Sequence, residues 1–337
     1  MTGRPGVGDE PFGYLLVHFV EDPDGYGEQV YYSLSDGDDP CAFVRLNGGQ
    51  PVLRSGLGTT GVRDPFVVRG DGEFFLVATD LRIYGGDDAG WDAWTRRGSR
   101  SILVWQSTDL VTWSEPWLLE VAPPTAGMAW APEALYDAER GEFLLYWSSK
   151  LYAEDDVEHA GDAYSRVLAA WTTDFRRIGE PHVLVDRGED VIDTTILVED
   201  GVVHRVSKQE SLAADSAKVF HEVGPSLLSD AFRTVATRIG ADAYERLEGP
   251  VLFRAHGEDA WYLFLDQYDR RPQGYQGFRT TDLATGRWEL LPRDRFHMPP
   301  DTKHGGVLPL RGDEWHRLAA AFGPPTRTTP EREAPVP

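Results

Sequence analysis

The chain has 337 residues, 41% of them apolar and 12% aromatic, which is ample for a buried core and excludes wholesale disorder. Acidic residues outnumber basic ones 55 to 33, for a formal charge of −22, and that balance repels nucleic acid and anionic membrane while suiting a neutral substrate. The single cysteine, Cys41, rules out an internal disulfide. The N-terminal stretch lacks an apolar targeting core and no run approaches membrane-spanning length, so a cytoplasmic protein is expected.

In chain order, residues 1–11 are rich in Gly and Pro and read as a flexible tail. Tyr14–Val20 and Gln29–Leu34 are rich in β-branched and aromatic residues and read as strands about a turn at Glu21–Gly25; Ala42–Leu46 is a third. A new unit opens at Arg63-Asp64-Pro65 and continues through Phe66–Arg69, Glu73–Ala78 and Ser101–Trp105, with a long polar insert that carries Tyr84, Trp91 and Trp94. The pattern returns from Trp130-Ala-Pro-Glu133, from Val191-Ile-Asp193 and from Leu247-Glu-Gly-Pro250, and in part at Lys303-His304-Gly-Gly. Three units share a Thr-Asp corner after their third strand, at Thr108-Asp109, Thr173-Asp174 and Thr281-Asp282. Only Asp313–Phe322 has a helical pattern, and 323–337 reads as a second flexible tail.

Residues 64, 133, 193, 248 and 304 lie 55–69 apart by subtraction. Four short strands per period, separated by Asp/Gly turns and without alternating long helices, predict an all-β, five-bladed β-propeller in a single domain over 12–322. The unit at His304 has one strand and the N-terminal meander has three. Together they make one blade with its innermost strand from the C-terminal part and its outer three from the N-terminal part, which leaves no open seam.

The first strand of each propeller blade lines the central channel, so Asp64, Glu133, Asp193, Glu248 and His304 are expected to converge in one funnel. Crowded carboxylates repel, and a catalytic function or a bound cation offsets that cost. A glycosidase requires such a set, with one carboxyl neutral and one ionised.

At these motifs, across residues 62–310, the chain resembles family 43 glycoside hydrolases, which are five-bladed propellers that invert anomeric configuration. The resemblance implies that Asp64 is the general base, that Glu248 is the general acid, and that Asp193 raises the Glu248 pKa and orients it. Inversion requires the base and acid about 6.5–9.5 Å apart. Arg63, Trp130 and Glu133 are implied in substrate binding; Glu133 supports the funnel or the substrate rather than acting directly, and Trp130 either stacks on a sugar or packs. His304 stands where family members help hold a central ion, often calcium through water, or is purely structural; no cofactor is required for the chemistry. The departures are Glu133, where the family usually has Asp, and Thr194, where Pro often follows the acid.

The resemblance implies a hydrolase of arabinose- or xylose-containing oligosaccharides or polysaccharide fragments, with an α-L-arabinofuranosidase first and a β-xylosidase second. Many xylosidases of the family carry a further C-terminal sandwich, which tilts the choice. The fructan- and sucrose-cleaving propellers share an Arg-Asp-Pro motif but need an Asn-Asp-Pro, which does not occur here. A mannoside phosphorylase needs a basic phosphate pocket, and a non-catalytic sugar-binding propeller has no need of three carboxylates at strand heads. Asp22-Pro23 and Asp39-Pro40 are rival Asp-Pro pairs, placed in turns.

Overall fold

The computed structural model describes residues 8, 10–21, 27–210 and 218–325. The turn at 22–26 with its Asp22-Pro23 pair, and most of both expected tails, lie outside the described residues. β1 (Pro11–Val20), β2 (Tyr31–Ser35) and β3 (Phe43–Arg45) open the chain. Blade one is β4 (Val62–Arg69), β5 (Phe74–Asp80), β6 (Ser101–Ser107) and β7 (Trp117–Glu120). Blade two is β8 (Trp130–Asp137), β9 (Glu142–Leu151), β10 (Tyr164–Thr172) and β11 (His182–Val185). Blade three is β12 (Val191–Glu199), β13 (Val202–Gln209), β14 (Lys218–Gly224) and β15 (Arg233–Ala236). Blade four is β16 (Leu247–Arg254), β17 (Trp261–Gln267), β18 (Gly274–Thr280) and β19 (Glu289–Leu290). Finally β20 (Thr302–Arg311) pairs antiparallel with β1, giving the order β20-β1-β2-β3 in blade five. The split blade is therefore present as the repeat pattern requires.

The innermost strands touch in the cycle β4, β8, β12, β16, β20 and back to β4, which closes the five-bladed propeller. Burial is almost continuous along the middle strands, so successive side chains bury both faces of each sheet and each blade packs on the next. Five separate apolar clusters result, one at each blade junction. Trp105 and Leu103 of blade one meet Leu15, Val17 and Tyr32 of blade five; Phe75 meets Phe143 and Phe175 between blades one and two. The predicted helix is present as Gly312–Phe322, lying over the junction of blades five and one with Leu318 buried in its core. Glu314 fixes its start, accepting from the Arg311 amide (2.9 Å) and pairing with Arg69. A second helix, Trp91–Arg97, lies in the long insert of blade one, where no helix is predicted because seven residues are too few for a periodic signal.

The Thr-Asp corners are side-chain caps. Asp109 Oδ1 accepts from the amides of Val111 (2.9 Å) and Thr112 (2.7 Å), and Asp174 Oδ1 from that of Arg176 (2.9 Å). The hydroxyl one residue ahead of the Thr-Asp pair, on Ser107, Thr172 or Thr280, closes the same turn. Blade three instead buries a histidine pair, His204 Nδ1 to His221 Nε2 at 3.0 Å. Burial lowers the pKa of both rings, that of His221 to about 3. Their folded pKa values lie below the unfolded value of about 6.5, so the unfolded chain binds more protons in acid and stability falls as pH drops below 6.5. Replacing His221 with Phe is expected to flatten the loss of Tm between pH 7 and 4 measured by circular dichroism; an unchanged slope would place the acid sensitivity elsewhere.

Candidate active site

All five innermost strands carry a bulge at the same end. Three residue steps of the inner strand oppose two of its neighbour between Arg63 and Phe66, Trp130 and Glu133, Ile192 and Thr195, Glu248 and Val251, and Thr302 and Gly305. A bulge re-aims side chains and often lies beside active sites. In four blades its first residue is left-handed: Asp64 (φ 48°), Ala131 (46°), Asp193 (50°) and Gly249 (54°). Aspartate tolerates that conformation better than most residues. At Gly249 glycine is required for a further reason, because a Cβ there would stand 2.6 Å from His304 Cγ.

This register corrects the five equivalent openers expected from the spacing. Asp64 and Asp193 are true counterparts. Glu248 stands one residue before its bulge, because the His304 ring takes the space that a side chain at 249 would need. Glu133 stands two residues after Ala131, and Lys303 rather than His304 fills the matching place in blade five.

The bulge backbones tie the blades together. The Ala131 amide donates to Thr79 Oγ1 (2.7 Å), the Asp193 amide to Ser148 Oγ (3.1 Å), the Gly249 amide to Asp193 Oδ2 (3.2 Å) and the Gly305 amide to Tyr275 Oη (2.7 Å). Each donor belongs to the blade that follows its acceptor, so the acids are held by neighbours on both sides. Thr79 passes the contact inward, its hydroxyl donating to Asp64 Oδ2 at 2.8 Å. Burial would raise the Asp64 pKa. The His304 imidazole beside Oδ1 (3.4 Å), the Arg63 charge and the Thr79 hydroxyl outweigh it, and Asp64 sits below the usual carboxylate range. It is an ionised, oriented carboxylate, the state a general base requires.

Glu248 does not match the expectation that Asp193 keeps it protonated. Burial pushes its pKa up, but Lys208 Nζ lies 2.9 Å from Oε2 and Lys303 Nζ 3.9 Å from Oε1, and the two ammonium groups bring it below the usual range. The raised carboxyl of the pair is Asp193, lifted by its own burial and by the Glu248 charge, against attraction from His304 and Lys208. Asp193 is therefore the member of the Asp193–Glu248 pair that takes up a proton first as pH falls, at about 6. Lys303 also holds the fully buried Asp266 at 2.8 Å, and Lys208 holds Glu210 at 2.6 Å. Both lysines lie over the ring of Tyr268, at 5.8 and 5.1 Å.

Glu133 is buried and accepts from Tyr146 Oη at 2.8 Å; burial raises its pKa to about 8 despite that bond and the nearby His304. It is a neutral acid in the channel wall. His304 is the opposite case. Burial would lower its pKa, but the bond to Asp64 and the charges of Asp193 and Asp64 lift it to about 9. A cationic imidazolium already paired with Asp64 is not a metal ligand. Among the described residues no group of three or more His, Cys, Asp or Glu side chains is placed to hold a metal. The residues present thus do not suit a directly held calcium ion.

Arg63, expected at the substrate, is engaged by two acids. Its guanidinium pairs with Glu28 (2.7 Å) and Glu21 (3.1 Å) and packs over Phe19. It acts on the acids through charge alone. Trp130 is half-buried, just ahead of its bulge, with its ring 6.1 Å from that of Trp91. A cleft of about 490 Å³ opens on the rim among Tyr31, Arg45, Arg54, Arg271 and Asp301, and meets this cluster at Glu21. The rival Asp39 is spent on a turn, its Oδ1 accepting from the Cys41 amide at 2.9 Å. Lys208, Lys303 and Asp266 escape sequence reasoning. A usable signal for the lysines is a cation within a strand at the end where the acids stand, Lys208 on the second strand of blade three and Lys303 on the innermost strand of blade five.

Residues 9–316 match a family described as "Probable glycosyl hydrolase domain", related to glycoside hydrolase family 43. Over 213 residues, 59% of this chain, it is 32% identical to an α-L-arabinofuranosidase of Bifidobacterium longum subsp. longum, and the match spans 20% of that relative's length. Among solved structures, an α-L-arabinanase of Cellvibrio cellulosa complexed with arabinohexaose superposes with a TM-score of 0.55 at 12% identity, over 88% of this chain and 97% of that one. The catalytic domain of a family 62 α-L-arabinofuranosidase of Coprinopsis cinerea gives 0.51 at 14% identity, over 76% and 77%. These two likenesses are of fold.

Proposed function

The chain belongs to the family-43-related glycosyl hydrolases, and from that premise we propose that it is an inverting α-L-arabinofuranosidase acting on arabinose-containing oligosaccharides. The observation that carries this reading is the split of protonation states at one channel mouth. Asp64 is ionised and aimed by Thr79 and His304, while Asp193, its pKa raised to about 6, keeps a proton on the Asp193–Glu248 pair in mildly acidic solution. A glycosidase needs that asymmetry, one carboxylate to take a proton from water and one carboxyl to give a proton to the leaving oxygen. The choice of sugar leans on the 32% identical relative, an α-L-arabinofuranosidase of which the match covers a fifth.

In the proposed reaction Asp64 removes a proton from water as its oxygen attacks the anomeric carbon. The bond to the leaving oxygen breaks as that oxygen receives a proton from Glu248. Glu248 is loaded from Asp193 when the incoming sugar displaces Lys208 from its carboxylate. Protonated His304 steadies the Asp64 charge, and neutral Glu133 is free to hydrogen bond a sugar hydroxyl. A second assignment is favoured by which member takes up the proton first, namely that Asp193 itself donates and Glu248 only tunes it.

Proton NMR of the products of an α-L-arabinofuranoside tests the stereochemistry. The β-anomer is expected first, followed by mutarotation. Initial release of the α-anomer would sink inversion, and turnover of 4-nitrophenyl β-D-xyloside without the arabinoside would move the substrate to xylose.

A further inference from the structure

The blade-one insert spends many bonds to display one indole. The helix Trp91–Arg97 is pinned to blade two: Arg96 Nη1 donates to the carbonyls of His159 (2.9 Å) and Gly161 (3.0 Å), and His159 Nδ1 bonds the Arg96 carbonyl at 2.7 Å. His159 in turn stacks on Tyr152 at 4.4 Å, and the Gly98 amide donates to the Gly127 carbonyl at 2.8 Å. Trp94 is tied by its indole N–H to Asp87 at 2.9 Å. Yet Trp91 is left 57% exposed, a large apolar ring held out of the core.

Its ring stands edge to face against Trp94 (5.4 Å, 89°) and against Trp130 (6.1 Å, 79°). Trp130 is the residue before Ala131, whose amide reaches Thr79 and through it Asp64. Trp91 and Trp130 therefore form a rigid aromatic corner that starts at the acid cluster and leads outward. A rigid indole presents a flat apolar face at low entropic cost, and the C–H face of a sugar ring is its natural complement. The strongly acidic chain favours an uncharged sugar over an anionic one.

We propose that Trp91, together with Trp130, is a binding subsite for a neutral sugar ring one unit beyond the ring whose bond is cleaved. This rests on the glycosidase reading above and makes the enzyme one for chains rather than single glycosides. Trp91→Ala, at an exposed position, leaves the fold intact. It is expected to raise KM for an arabinotetraose about tenfold, with kcat little changed, and to leave methyl α-L-arabinofuranoside, which is too short to reach the corner, unaffected; tenfold corresponds to about 1.4 kcal/mol. Trp91→Tyr is expected to restore most of the loss. Equal kinetics of wild type and Trp91→Ala on the tetrasaccharide would overturn the proposal, as would an equal loss on both substrates. If the wild type cleaves neither glycoside, the glycosidase reading fails separately, and titration of arabinotetraose and xylotetraose by indole fluorescence decides the subsite. Binding lost in Trp91→Ala supports it, and binding unchanged or absent in the wild type overturns it.

Discussion

Glu248→Gln is expected to lower kcat/KM on an arabino-oligosaccharide by about 10²–10⁴-fold, the usual contribution of a positioned proton donor. On a 2,4-dinitrophenyl α-L-arabinofuranoside, whose leaving group departs without a proton, the loss is expected to be at least about tenfold smaller. Asp64→Asn removes the base and has no such dependence, so both substrates suffer alike. The comparison separates the two assignments of the donor. Should Asp193→Asn show the leaving-group dependence and Glu248→Gln lose equally on both, the proton comes from Asp193. The same states fix the pH profile. Activity is expected to fall in strong acid as Asp64 is protonated through its depressed pKa, and to fall again as pH rises through about 6, where Asp193 gives up the proton of the Asp193–Glu248 pair.

Lys303→Met is expected to destabilise the protein by about 3–5 kcal/mol at pH 8, the usual result of leaving a buried charge without its partner. The stranded group is Asp266, fully buried, with its nearest cation gone. Burial already raises the Asp266 pKa against the pull of Lys303, and loss of the lysine raises it further. A carboxyl whose folded pKa lies above its unfolded value gains stability as pH falls, so the deficit is expected to shrink between pH 8 and 5.5. Chemical denaturation at the two pH values measures this, and Lys303→Met combined with Asp266→Asn should recover most of the loss. A deficit independent of pH would show that the lysine serves packing rather than charge.

The blades, their split closure and the positions of Asp64, Asp193 and Glu248 at one mouth follow from motifs legible in the sequence, because alternation and turn chemistry are local. What is not legible is register within the bulge. Arg63-Asp-Pro and Glu248-Gly-Pro look like the same motif with the acid moved by one residue, and only the His304 ring against Gly249 explains the move. Electrostatics are hidden for a like reason. Lys208 and Lys303 are distant from Glu248 along the chain, and their effect on its proton depends on distances that no spacing reveals. Arg63 misleads in the other direction. Its sequence neighbour Asp64 faces the acid cluster, while its own partners, Glu21 and Glu28, come from the stretch between β1 and β2, far away along the chain.

Closure by β20 also sets an order in time. Lys303 and His304 both sit on the strand that follows every other strand in the chain, so during synthesis the cations arrive after the acids. Until then Asp64 and Glu248 lack two of the cations that hold them below the usual carboxylate range in the finished ring. Docking of β20 against β1 brings both cations to the acids in the same step that completes blade five. Assembly of the electrostatic site and closure of the ring of blades are then a single event.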